Sequence, residues 1–260
     1  MKCIYLAAGY ATRLYPLTEN FPKPLLEVAG KSILDWLYDD LEAGGRIDRH
    51  VIVTNHRFAS HFNDWAARHD LRRITVIDDG TTDNANRLGA VRDVALALEQ
   101  DGLDDEVLVV AGDNLLDFSL WRLVEYCRQK GTSCVMRYRE EDTARLRKSG
   151  VLMVDDNGLV TAMAEKPAEP ASHWCCPPFY YFKGADAARV HEGLAAGCGA
   201  DAPGSYIAWL CTVAPVHAME MPGRRHDIGD LESYERAQKE FGAFFPPTTR
   251  APSVRTGCCR

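Results

Sequence analysis

Leu6-Ala7-Ala8-Gly9-Tyr10-Ala11-Thr12-Arg13, followed by Pro22-Lys23-Pro24, is the stretch whose reading decides the fold. The apolar run Cys3-Ile4-Tyr5-Leu6-Ala7 reads as a buried strand that breaks at Gly9 into small residues and then a cation. Small side chains let a main chain approach phosphate oxygens with its N–H dipoles pointing inward, and Arg13 adds a guanidinium that grips phosphate through paired hydrogen bonds. Lys23 lies between two prolines that each fix φ, so its backbone is stiff without a helix or a ladder. Taken alone, the stretch is weak evidence and reads more readily as an ordinary exit from a strand, and it lacks the second and third glycines of a dinucleotide fingerprint.

With 260 residues the chain is long enough for a sizeable core, in one large α/β domain or two small ones. No apolar run reaches the roughly eighteen residues of a membrane span, and the N-terminus lacks a basic-then-apolar leader, so a cytoplasmic location without membrane contact is expected. A formal net charge of −7 and the lack of a basic tract argue against a nucleic-acid surface. A small polyanion is still admissible, because screening over about 8 Å lets a local cluster of Arg and Lys dominate a pocket. The nine cysteines include the pairs Cys175-Cys176 and Cys258-Cys259 but no C-x-x-C, which favours free thiols over a disulfide framework or a zinc site.

Outward from the first stretch, Ile33, Leu34, Leu37 and Leu41 recur at helical spacing, with Ser32 as cap, Asp35 in the first turn and Gly44-Gly45 as terminator. Strands at 50–54 and 74–77 flank a helix at 56–69, an alternation that signals parallel strands covered by helices on both faces. The polar loop 78–90, with Asn84, Asn86, Leu88 and Gly89, leads into a helix to about Gln100 and suits a reading loop at the carboxyl end of a strand; it reads equally as a solvated connection. The strand Val107–Ala111 ends in Gly112-Asp113-Asn114, where a carboxylate is placed to hold Mg²⁺, since Asp117 and Ser119 are available to cap the next helix, 119–130. After a strand at 133–138 and a charged connection at 140–149, residues 151–163 form a hairpin around Asn157-Gly158 that delivers Glu165-Lys166-Pro167. An aromatic strand at 177–182, helices at 185–196 and from 201, a strand at 216–221 and a last helix from Asp230 to about Phe244 complete the reading. The fold expected is α/β: a mixed, mostly parallel sheet with helices on both faces and a small antiparallel addition, in a domain of residues 1–245, with a disordered tail at 246–260.

Four motifs, LAAGYATRLYPLT…PKP at 6–24, GDN at 112–114, EKP at 165–167 and HDIGD at 226–230, together resemble the sugar-phosphate nucleotidyltransferases. The likeness is to a short, glucose-1-phosphate thymidylyltransferase-like form without a C-terminal extension. It implies a Rossmann-like fold and an enzyme that joins an NTP to a sugar 1-phosphate and releases pyrophosphate. By the same resemblance the nucleotide meets Leu6, Ala7, Ala8, Gly9, Tyr10, Ala11, Thr12, Arg13 and Asp113, with base choice at Asn84, Asn86, Leu88 and Gly89. Arg13, Lys23 and Lys166 are the implied catalytic cations, and Asp113 and Asp227 the implied Mg²⁺ ligands. Glu165, Lys166, Tyr180, Tyr181 and Asp201 are assigned to the acceptor. The family loop carries a second glycine where this chain has Ala11.

The chemistry accounts for these residue types. A phosphate oxygen attacks the nucleotide α-phosphorus in line while pyrophosphate leaves, so catalysis is positioning and charge neutralisation, with no side-chain nucleophile. An ionised phosphate has no proton to lose at neutral pH, so the paired aspartates read as metal ligands rather than an acid and a base. Two other readings stay open at this point: a CTP-dependent cytidylyltransferase acting on a phosphocholine-like phosphate or phosphonate, and a non-catalytic nucleotide sensor. The expected partners are an NTP and a small phosphorylated acceptor, with homo-oligomerisation left open.

Overall fold

The computed structural model describes residues 1–103 and 106–244, so the tail expected at 246–260 lies outside the described residues. The chain opens with β1 (Lys2–Leu6) and a short pair, β2 (Glu27–Val28) and β3 (Lys31–Ser32). Helix α1 (Ile33–Ala43) begins in a capping box: Ser32 Oγ accepts from the Asp35 N–H at 3.0 Å, and Asp35 Oδ2 accepts back from the Ser32 N–H at 3.3 Å. Strand β4 (Arg49–Thr54), helix α2 (Ala59–Ala66), β5 (Ile74–Asp78), α3 (Ala90–Asp101) and β6 (Glu106–Ala111) continue the expected alternation. The four long strands run parallel in the order β6-β1-β4-β5.

Residues of β1 explain why it sits inside. Cys3 and Tyr5 pack into a core with Leu34, Leu37 and Trp65, while Ile4 points the other way into a core with Val91, Val94 and Ile207. A strand apolar on both faces is stable only where helices cover both. Carboxyl ends of β1 and β6 therefore emerge side by side, with Leu6 opposite Ala111.

The second half contains β7 (Asn114–Leu116), α4 (Trp121–Lys130), β8 (Ser133–Arg139), α5 (Thr143–Leu146), β9 (Gly150–Val154) and β10 (Val160–Glu165). Next come β11 (Trp174–Cys176), β12 (Phe179–Lys183), α6 (Gly184–Ala187), α7 (Val190–Ala195), α8 (Gly204–Leu210), β13 (Val216–Glu220), β14 (Arg225–Asp227) and α9 (Leu231–Phe244). The β9–β10 hairpin is antiparallel as expected. It does not stand apart as a small layer, because β12 pairs antiparallel with β6 and carries β8, β11, β9 and β10 onto the same ten-stranded mixed sheet.

Three features depart from the sequence reading. Trp174–Cys176 forms a strand at the end of an expected loop, and β14 pairs with β7 where the HDIGD segment carries no strand signal. Strands of three residues show no usable period. The charged connection 140–149 contains α5, whose Leu146 is buried with Val151 and Cys175. For α4, Ser119 Oγ accepts from the Trp121 N–H at 3.2 Å, whereas Asp117 accepts from the Arg224 N–H at 2.6 Å. The seven cysteines among the described residues are free, and no helix among those residues is long and apolar enough to cross a membrane.

Removing the cap of α1 with Ser32→Ala is expected to cost about 1 kcal/mol and lower the thermal midpoint by a few degrees. An unchanged midpoint would mean that the capping box does not contribute to stability.

Candidate active site

The first loop is fixed by its neighbours. The Ala7 N–H donates to the Val53 carbonyl at 2.8 Å, the Gly112 N–H to the Leu6 carbonyl at 3.0 Å, and Asn55 Nδ2 to the Ala8 carbonyl at 3.0 Å. Gly9 is unhindered: a Cβ there would meet nothing within 4 Å. The conformational demand falls two residues later, at Ala11, with φ 47° and ψ 41°. An L-residue in this region costs roughly 1–2 kcal/mol, the cost that the family's glycine avoids. Ala11 is held there because its carbonyl accepts from the Leu14 N–H at 2.9 Å and from Thr18 Oγ1 at 2.8 Å. The turn buries Leu14 and leaves Arg13 exposed.

Leu6, residues 8–13 and the segment Asn84, Arg87, Leu88, Gly89 enclose a cleft of about 530 Å³, completed by Asp79, Ala90, Asp93 and Asp201. Most of the residues assigned to the nucleotide are thus brought together. Ala7, Asn86 and Asp113 do not line it: Ala7 is packed in the core, Asn86 donates to Asp83, and Asp113 is held by Lys23. Gly89 must be glycine, because its φ is 97° and a Cβ would lie 2.6 Å from the Ala200 carbonyl oxygen. That close approach seats the Ala90 and Val91 N–H groups on the carbonyls of Asp201 and Ala200, at 3.2 and 3.0 Å. A larger depression of about 850 Å³ lies between Phe21, Trp36 and His69, and the site is assigned to the smaller cleft, which Leu6 and residues 8–13 of the first motif line.

Beside the cleft runs a chain of opposite charges. Lys23 Nζ donates to Asp113 Oδ2 at 2.7 Å, Asn114 Nδ2 donates to Asp113 Oδ1 at 2.6 Å, and Arg225 Nη1 donates to Asn114 Oδ1 at 2.8 Å. Arg225 also lies 3.5 Å from Asp227. Burial alone would raise the Asp113 carboxyl, but Lys23 and then Arg225 outweigh it and hold it below the ordinary range, so it is ionised. Asp227 stands directly opposite Asn114 in the β14–β7 pair, which brings it next to the residue that follows Asp113. Gly229 lies close to the Arg13 guanidinium, joining the last motif to the first. Among the described residues no group of three or more His, Cys, Asp or Glu forms a metal cage. Two ionisable carboxylates suit Mg²⁺, which keeps sites for phosphate oxygens and water.

Lys166, at the end of β10, is exposed, with φ 47° and its N–H on the Ser149 carbonyl at 3.0 Å. It does not line the cleft, but its charge acts on Glu165 and Asp201. Glu165 has its carboxyl raised by burial and fits only because Gly204 lacks a Cβ, which would come within 1.9 Å of Oε1.

Other placements concern the residues assigned to the acceptor. Tyr180 and Tyr181 point to opposite faces and both are buried in the two cores, the Tyr181 hydroxyl beside Glu106 and the Tyr180 hydroxyl within the field of Glu165 and Arg225. The aromatic strand is central in the sheet, between β6 and β8, so both of its faces are covered. Asp201, assigned to the acceptor, lies in the nucleotide cleft, where Arg87 Nε donates to it at 2.7 Å and holds its carboxyl below the usual range. Asn114, Asp79 and Asp93 were not singled out as site residues. Asp93 had a legible signal, a carboxylate among the buried positions Val91, Val94 and Ala95 of α3.

Burial, and then the charge of Asp79, push the Asp93 carboxyl up to about 7. A carboxyl raised on folding contributes stability that is present below its unfolded value near 4 and lost as pH rises toward 7. The difference in thermal midpoint between Asp93→Asn and the native protein is therefore expected to grow in favour of the variant from pH 4 to pH 8. A constant difference across that window would show that Asp93 titrates normally.

Residues 2–242 match the family described as nucleotidyl transferase. The chain is 28% identical over 245 residues to the UTP–glucose-1-phosphate uridylyltransferase AglF of Haloferax volcanii, covering 93% of this chain and 96% of that one. It is 26% identical over 171 residues to mannose-1-phosphate guanylyltransferase 1 of Arabidopsis thaliana, covering 64% of this chain and 45% of that enzyme. The solved structure of a UDP-glucose pyrophosphorylase complexed with UDP-glucose shares the fold, with a TM-score of 0.78 at 20% identity over 94% of this chain and 98% of that one. The chain belongs to the nucleotidyl transferase family.

Proposed function

We propose that the protein catalyses Mg²⁺-dependent transfer of a nucleotidyl group from an NTP to a sugar 1-phosphate, giving an NDP-sugar and pyrophosphate. The observation that carries this reading is the Lys23–Asp113 contact, one residue from Gly112, whose N–H is bonded to the cleft-lining Leu6. Cation, carboxylate and first loop are thereby neighbours, which supports this reading. Asp113 and Asp227 would hold Mg²⁺, which when bound neutralises phosphate charge as a Lewis acid.

The side chains divide the remaining work. Arg13 takes the departing pyrophosphate, a role supported by its exposure beside Gly229. Lys23 gives one N–H to Asp113 and keeps two for an α-phosphate oxygen. Lys166 holds the incoming phosphate, and Glu165 offers its carboxyl to a hydroxyl of the acceptor. At an effective dielectric near 20, two unit charges 4 Å apart interact by about 4 kcal/mol, so each cation that tracks the developing charge is worth orders of magnitude in rate. The named relatives use uridylyl and guanylyl donors with hexose 1-phosphates, which supports the acceptor class.

A donor-by-acceptor screen for pyrophosphate release tests the reading. Turnover is expected with a sugar 1-phosphate, and release only with CTP and phosphocholine would replace the acceptor. Asp113→Asn and Lys166→Ala are each expected to lower turnover by at least about a hundredfold; full turnover in either variant removes that residue from the mechanism. Activity is expected to vanish with EDTA and to return with excess Mg²⁺, whereas activity in metal-free enzyme would remove the metal.

A further inference from the structure

The cleft contains two acids that nucleotidyl transfer, as proposed above, leaves unused. Asp93, in the first turn of α3, is 5% exposed, and its Oδ1 has no hydrogen-bond partner. Asp79 follows β5; its Oδ1 accepts from the Thr81 N–H and from Thr81 Oγ1, both at 2.7 Å, while its buried Oδ2 has no partner. Thr81 Oγ1 lies 3.2 Å from the Tyr10 hydroxyl, so the pair is tied to the first loop. Both acids line the same cleft as Ala8, Gly9, Leu88 and Gly89. The charge acting on Asp93 is that of another acid, and the nearby cation Arg87 is already paired with Asp201.

Buried acceptors without donors are destabilising, and a ligand that brings N–H groups satisfies them. The triphosphate is not that ligand, because two carboxylates repel it and the cations for it lie at Arg13 and Lys23. The remaining polar parts of an NTP are the ribose hydroxyls and the base, and Leu88 and Gly89 of the base-choice loop line the cleft beside these two acids. Cytosine, guanine and adenine each carry an exocyclic amino group on the Watson–Crick edge, whereas uracil and thymine place a carbonyl oxygen there on either side of a single N–H. A carbonyl against a carboxylate sets acceptor against acceptor.

We propose that Asp93 and Asp79 form an acceptor-only subsite for the exocyclic amino group of the donor base, so that the enzyme selects an amino-bearing nucleotide over UTP and dTTP. The selectivity rests on the nucleotidyl-transfer reading and narrows it. It also separates this chain from the uridylyltransferase it resembles across nearly its full length.

Equilibrium binding of CTP, GTP, ATP, UTP and dTTP to the full chain with Mg²⁺, measured by calorimetry at pH 8, tests the assignment. That pH lies above the value of about 7 for the Asp93 carboxyl, so it acts as an acceptor. At least one amino-bearing triphosphate is expected to bind about tenfold or more tightly than both UTP and dTTP. Asp93→Asn is expected to narrow that ratio by about tenfold, because a carboxamide offers an NH₂ to a base carbonyl. Asp79→Asn is a second variant with the same expected direction, and thermal unfolding checks that both fold. Tightest binding of UTP or dTTP overturns the proposal while leaving nucleotidyl transfer intact. Equal weakening of all five nucleotides by Asp93→Asn assigns the acids to the ribose and also overturns it. Binding of none of the five removes the nucleotide reading, and this proposal with it.

Discussion

The 2.7 Å contact between Lys23 and Asp113 joins two segments ninety residues apart and is the interaction on which the site's geometry turns. It forms because β1 and β6 are adjacent parallel strands, so the loops leaving their carboxyl ends are neighbours. Burying such a pair is costly unless its other valences are satisfied. Here Asn114 donates to the second carboxylate oxygen, and Arg225 donates to Asn114. Removal of Lys23 would leave Asp113 facing Arg225 through Asn114 alone, so the pair and the β7–β14 ladder support each other. The resulting row of alternating charges is what two anionic substrates require in order to meet.

Backbone strain is found at the same places. Among the described residues three non-glycines have left-handed φ, and two of them, Ala11 and Lys166, belong to the motifs. Such residues persist where surrounding contacts over-determine them, as they do for Ala11 through its doubly bonded carbonyl. The strain at Ala11 keeps Arg13 exposed while Leu14 is buried, and the strain at Lys166 turns the chain out of β10 beside Glu165. Glycine at position 11 would remove the cost and also the Cβ that packs near Leu14 and Leu26.

Much of the fold was legible because it rests on local periodicity. The buried strand Cys3–Leu6, the Ser32 cap, the Asn-Gly hairpin and the Asp230 cap of α9 are all found where spacing placed them. The first motif lines the cleft, and the GDN and HDIGD segments meet where Asn114 pairs with Asp227. What escaped depends on distant contacts: Trp174–Cys176 is a strand because β8 and β9 lie on either side of it, and Tyr180 and Tyr181 are interior because β12 is central. No spacing reveals that Arg87 is engaged by Asp201, 114 residues away. Pattern counts Asp79 as a turn position, whereas Asp93 stands out as a carboxylate among the buried positions of α3.

The central claim is that positioned cations, without a side-chain nucleophile, carry the α-phosphorus through one in-line displacement. The stereochemical course of transfer from a chiral α-thio nucleoside triphosphate tests it most directly. A single displacement predicts inversion of configuration at the α-phosphorus in the product, whereas retention would reveal a covalent nucleotidyl-enzyme intermediate and contradict the claim.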